Sequence, residues 1–108
     1  MPNYKILVAD DEPSILEIMS RKIAAHGYRV ISAKDGQEAW DKIQQENPDL
    51  VLLDMLMPHL DGISVLSKLR ATPPSKKWIP VIIISALGEQ DTIKRALDLQ
   101  ADHYLTKP

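Results

Sequence analysis

The chain contains no cysteine, which excludes disulfides and thiol chemistry and fits a reducing compartment. No apolar run approaches the roughly 18 residues of a membrane-spanning helix. The opening Met1-Pro2-Asn3-Tyr4-Lys5 shows no basic leader ahead of an apolar segment. A basic patch is also missing: the 13 lysines and arginines are scattered and the net charge is -2, so no surface for direct nucleic-acid contact is expected. There are no repeats or low-complexity tracts. The expected location is the cytoplasm, with no membrane contact. What remains is 108 residues, 44% apolar and 26% charged, the composition of one globular domain with a single core.

Short apolar runs alternate with amphipathic stretches. Residues 4–9, 50–53 and 80–84 are nearly continuous apolar runs, the pattern of strands buried on both faces. Residues 28–33 and 103–105 read as two further strands. Helices are expected from Pro13 or Ser14 to about His26, from Gln37 to about Glu46, from Gly62 to Arg70 and from Asp91 to Leu99. The first carries Ile15, Ile18, Met19 and Ile23 at helical spacing and stops at Gly27. Asp35-Gly36 reads as the turn after the second strand, and Thr92 or Asp91 as the cap of the fourth helix. Five strands alternating with four helices predict an α/β, doubly wound parallel sheet.

Asp10 and Asp11 follow the first apolar run, Asp54 follows the third strand, and Lys107 follows the fifth. In a parallel sheet these C-terminal strand ends share one rim, where ligands bind. Carboxylates about 5 Å apart repel by roughly 3 kcal/mol per pair at an effective dielectric of about 20. Such a cluster needs a cation or altered protonation, which marks it as a candidate site. The alternative is helix capping by Asp10, Asp11 or Glu12.

The ordered series Asp10-Asp11-Glu12-Pro13, Asp35-Gly36, Pro48-Asp49-Leu50-Val51-Leu52-Leu53-Asp54, Met57-Pro58 with Asp61-Gly62, Ile79-Pro80-Val81-Ile82, Ser85-Ala86, and Ala101-Asp102 through Tyr104-Leu105 to Lys107-Pro108 resembles the receiver domain of two-component response regulators. The match spans the whole chain. It implies a flavodoxin-like fold with strand order 2-1-3-4-5, and residues 1–108 as a receiver domain that lacks the last helix. It implies that Asp54 accepts a phosphoryl group from a sensor histidine kinase or a phosphotransfer protein. Asp10, Asp11, Asp54 and the backbone carbonyl of Leu56 would hold Mg²⁺, a hard ion suited to oxygen ligands. Lys107 would pair with Asp54 and then with the phosphoryl oxygens, Ser85 would donate its hydroxyl to them, and Tyr104 would turn inward as the switch.

Charge explains why these parts belong together. Three aspartates, one lysine and Mg²⁺ cancel, whereas an acyl phosphate dianion in place of one carboxylate leaves an excess negative charge. Donors must then move toward the new oxygens, and Ser85 with nearby backbone N–H groups can supply them. The resemblance implies that movement of the fourth strand would open space behind Ser85 for Tyr104 and so change the surface of the fourth helix and fifth strand.

Several residues need separate readings. Gln100 stands where many relatives have glycine, so the turn must avoid positive φ or carry strain. Leu56 and Leu87, two past Asp54 and two past Ser85, flank the hydrolytic water in the family; two apolar groups cannot orient it, which implies a slowly hydrolysing phosphoryl group. Leu16 reads as core-edge packing or as an exposed kinase-docking residue. His26, His59 and His103 lack metal-ligand spacing and are expected at the surface, while Trp40 and Trp78 are expected to pack. A cis bond at Lys107-Pro108, as the family has, would aim the lysine at the rim.

The leading expectation is a phosphorylation-controlled binding module acting on an effector domain or protein. It is not an enzyme for external metabolites. An aspartyl-phosphate phosphotransferase or phosphatase of dehalogenase type needs a second aspartate two residues past the nucleophile, where this chain has Leu56. A flavin carrier needs a phosphate-cradling first loop, which Asp10-Asp11-Glu12 would repel. A scaffolding receiver that has lost phosphorylation is opposed by the intact acceptor set. The absent fifth helix would leave apolar sheet uncovered, so either the natural chain continues or the surface is buried against a second chain, as in a homodimer.

Overall fold

The computed structural model describes residues 4–55, 57, 60–71, 78–85 and 90–106. Along the chain run β1 (Lys5–Ala9), α1 (Pro13–Ala25), β2 (Arg29–Ala33), α2 (Gly36–Glu46), β3 (Leu50–Asp54), α3 (Gly62–Arg70), β4 (Val81–Ser85), α4 (Gln90–Asp98) and β5 (His103–Thr106). The strands form one parallel sheet in the order β2-β1-β3-β4-β5, as expected. The most apolar runs occupy its centre, where helices cover both faces of the sheet. β1, β3 and β4 bury four of their five residues each, whereas edge strand β5 buries none.

Alternation along the strands divides the core in two. Leu7, Ala9, Val51, Leu53, Val81 and Ile83 face α2, α3 and α4, which contribute Ala39 and Ile43, then Val65, Leu66 and Leu69, then Ala96. Burying each large side chain contributes about 1.5–3 kcal/mol. On the other face Ile6, Val8, Leu52 and Ile84 meet Leu16, Met19 and Ile23 of α1. Leu16 is therefore a core-edge residue. Among the described helices only α1 packs on this second cluster. A groove of about 280 Å³ beside it is lined by Ile15, Ile18, Met19, Lys22, Ile84, Leu105 and Thr106. Ile18 and Leu105 are 55% and 48% exposed there.

Local signals set the helix ends. Pro13 starts α1, and Gly27, at φ 91°, follows its last turn with its N–H on the Ala24 carbonyl. Asp35 is more than a turn residue: its side chain caps α2 by accepting from the Glu38 N–H at 2.8 Å, and Gly36 is already helical. Asp61 caps α3 in the same way through Ser64. α4 begins at Gln90, so Asp91 and Thr92 lie inside its first turn and do not cap it.

Gln100 takes the strained branch, with φ 69°. Its N–H bonds to the Leu97 carbonyl while the Ala101 N–H reaches back to Ala96, a Schellman closure of α4 that ordinarily uses glycine. Left-handed backbone costs a non-glycine residue about 1–2 kcal/mol, offset by about 0.4–1 kcal/mol of extra freedom that glycine has when unfolded. Gln100→Gly should therefore raise stability by about 0.5–1 kcal/mol in a urea titration. An unchanged or lower midpoint would contradict the strain.

Candidate metal and phosphoryl-acceptor site

Asp10 leaves β1 with its N–H on the Ala33 carbonyl at 3.1 Å, which fixes the turn at the rim. Its Oδ1 accepts from the Glu12 N–H at 2.9 Å, so it braces the loop before α1. Glu12 occupies the N-cap position without a side-chain capping bond. Helix capping therefore does not account for these acids. Asp54 ends β3, the strand next to β1. Burial is complete for Asp10 and nearly so for Asp54, while Asp11 is exposed.

The three carboxylates of Asp10, Asp11 and Asp54 offer oxygens that all lie within 4.8 Å of one another. Like charges that close, two of them out of water, demand a counter-charge. An all-oxygen set at this spacing suits a hard divalent cation. Beside them, Ser85 ends β4; β3 and β4 pair Asp54 with Ile84, one residue before it. The Ser85 hydroxyl is fully buried and has no hydrogen-bond partner among the described residues. A buried hydroxyl left without a partner costs about 1–3 kcal/mol.

Tyr104 pairs with Ile83 across the β4–β5 ladder and is 40% exposed. Its ring is tilted against His103 at a centroid distance of 5.7 Å. His26 and His103 are exposed, as expected. The structure thus brings Asp10, Asp11, Asp54 and Ser85 to one rim and leaves Tyr104 on the outer strand. Lys107, Leu56, Leu87, His59 and the Lys107-Pro108 bond lie outside the described residues.

A second polar cluster sits at the opposite end of the sheet, where the sequence marks no site. The Arg70 guanidinium donates to the Ile79 carbonyl at 2.8 Å, the Gln100 carbonyl at 3.0 Å and Asp102 at 2.9 Å. It also stacks 3.7 Å from the Trp78 ring centroid. Asp102 in turn accepts from the Val81 N–H and the Trp78 indole. Burial pulls the Arg70 pKa below its ordinary value, against the opposing charge and hydrogen bond of Asp102. Trp78 is 55% exposed and so is not the packing residue expected, whereas Trp40 does pack against the larger core cluster.

The family model of the response regulator receiver domain matches residues 6–108. The chain is 43% identical over 106 residues to the alkaline phosphatase synthesis transcriptional regulatory protein PhoP of Bacillus subtilis, covering 98% of this chain and 43% of that protein. It is 45% identical over 103 residues to response regulator RR06 of Streptococcus pneumoniae, covering 95% of this chain and 46% of the other. The chain therefore spans less than half the length of these relatives. Among solved structures, the Francisella response regulator 1452 receiver domain superposes with a TM-score of 0.85 at 40% identity, over 98% of this chain and 85% of that one.

Proposed function

The chain belongs to the response regulator receiver family, and from that premise we propose that it is a phospho-acceptor switch whose acceptor is Asp54. One observation carries the reading: a buried carboxylate at the end of β3 lies within one ion's reach of two further carboxylates. A sensor histidine kinase or a phosphotransfer protein is the donor. An Asp54 oxygen bonds to phosphorus as the phosphorus–nitrogen bond to the donor imidazole breaks, and the imidazole leaves with the electron pair.

Asp10, Asp11 and Asp54, with the backbone carbonyl of Leu56, would hold Mg²⁺. When bound, such an ion supplies charge neutralisation and orientation of the phosphoryl oxygens. By the family resemblance, Lys107 would pair with Asp54 and then with the phosphoryl oxygens. Ser85 turns its buried hydroxyl onto a phosphoryl oxygen, and Tyr104 moves from its exposed place toward the space that movement opens. The α4–β5 surface changes as a result. The chain thereby assists its own phosphorylation and dephosphorylation and turns over no external metabolite.

The effector is a further domain or a separate protein, consistent with relatives more than twice as long that are named transcriptional regulators. Residues 6–108 belong to the receiver domain, and the apolar groove between α1 and β5 is a seat for a further helix or for a second copy of the chain. No helix among the described residues is long and apolar enough to cross a membrane. The protein works in the cytoplasm.

Phosphoryl uptake from acetyl phosphate tests the metal's part. Labelling should require Mg²⁺, stop on addition of a chelator, and weaken strongly in Asp10→Asn. Labelling at full rate in chelator would contradict the proposal.

A further inference from the structure

The segment that follows the acceptor rests on a helix at a point where no side chain fits. Gly36 opens α2, and an ideal Cβ on it would lie 1.4 Å from the Leu60 carbonyl oxygen and 2.4 Å from the carbonyl carbon. Real Cβ atoms essentially never come within 3.0 Å of a neighbour, and these neighbours are backbone atoms that cannot rotate away. The constraint is one of space. It does not depend on positive φ.

The other end of the segment shows the same economy. A Cβ on Gly62 would lie 2.3 Å from the Asp54 carbonyl oxygen and 2.8 Å from the Met55 Cα. The Gly62 N–H donates to the Met55 carbonyl at 2.9 Å, so the chain closes back on the acceptor. Met55 and Met57, 1% and 8% exposed, are anchored in the core. α2 cannot easily withdraw, because Asp35 caps it and Ala39 and Ile43 are buried beneath it. A substituent at Gly36 must therefore push Leu60 and, through Gly62 and Met55, the end of β3 that carries Asp54.

We propose that Gly36 is a positioning residue for the acceptor site: the bare start of α2 fixes the seat of Leu60, and through Gly62 and Met55 the placement of Asp54 against Asp10 and Asp11. The proposal rests on Asp54 being the acceptor. Gly27 is the natural comparison, since a Cβ there meets nothing within 4 Å and its φ of 91° makes alanine strained without touching the site.

The test measures Mg²⁺ affinity by calorimetric titration, acetyl phosphate labelling rate and Gly62 amide exchange in wild type, Gly36→Ala and Gly27→Ala. Gly36→Ala should weaken Mg²⁺ binding and slow labelling by about tenfold or more, since small misplacements of reacting groups carry such penalties. Its Gly62 amide should also exchange faster. Gly27→Ala should lower the melting temperature and leave affinity and labelling as in wild type. A folded Gly36→Ala with wild-type affinity and rate overturns the proposal. If Gly36→Ala does not fold alone, the comparison is made between Gly36→Ala/Gln100→Gly and Gln100→Gly, where a tenfold loss again supports the assignment and equal values overturn it. A wild type that takes neither Mg²⁺ nor phosphoryl overturns the acceptor reading and this assignment with it. A working wild type beside an unaffected Gly36→Ala overturns this assignment alone.

Discussion

Phosphorylated wild type, once separated from its donor, should keep its phosphoryl group about ten to a hundred times longer than a Leu56→Asn/Leu87→Glu variant. Loss of the group requires a water in line with the bond from phosphorus to the Asp54 oxygen. By the family resemblance, the side chains two past Asp54 and two past Ser85 flank that water. Leucine offers no donor or acceptor at either position, so the attacking water is neither held nor relieved of a proton. Asparagine and glutamate restore both abilities, and positioned proton transfer is worth orders of magnitude in rate. Decay is compared on folded protein of both forms, so the rate isolates the chemistry. Wild type that decays as fast as the double variant would contradict the assignment.

Removing the Arg70 side chain should cost about 3 kcal/mol, a large part of the roughly 5–15 kcal/mol that holds a domain of this kind folded. The Arg70 side chain is only 7% exposed, and it ties the end of α3 to the start of β4 and to the strained turn before β5. Breaking a buried ion pair typically costs about 3–5 kcal/mol because the remaining charge is stranded. Asp102 is 39% exposed and keeps the Val81 N–H and the Trp78 indole, which places Arg70→Ala at the lower end. Arg70→Lys should recover less than half of the loss. A single ammonium cannot serve three acceptors in separate directions or stack flat on Trp78. Urea unfolding followed by tryptophan fluorescence measures both variants. A cost below about 1 kcal/mol for Arg70→Ala would mean that the cluster is incidental.

The inner strands were legible because a strand hidden on both faces has to be apolar throughout. Residues 50–53 and 80–84 became β3 and β4 within one residue at either end. α3 was legible to the residue, with Asp61-Gly62 at its start and Arg70 at its end. The acid cluster was legible for a different reason. Parallel topology sends every strand's C-terminus to one rim, so Asp10, Asp11 and Asp54 had to meet once the strands were placed. Contacts that depend on three-dimensional approach were not legible. Arg70 and Asp102 are 32 positions apart, and nothing in either segment signals the pairing. The exposure of Trp78 follows from that pairing, since its ring is covered on one face by a guanidinium rather than by the core. Gln100 left two branches open because helix-closing geometry competes with side-chain strain, and only the hydrogen bonds of Leu97 and Ala96 decide the contest. Gly36 read as turn punctuation, and its close approach to Leu60 shows only when the loop is in place.

The sharpest check on Asp54 as the acceptor is the mass of the intact protein after incubation with acetyl phosphate and Mg²⁺, with wild type and Asp54→Asn run side by side. Wild type should gain one phosphoryl group and Asp54→Asn none. No adduct on wild type, or an adduct that survives the substitution, would contradict the assignment.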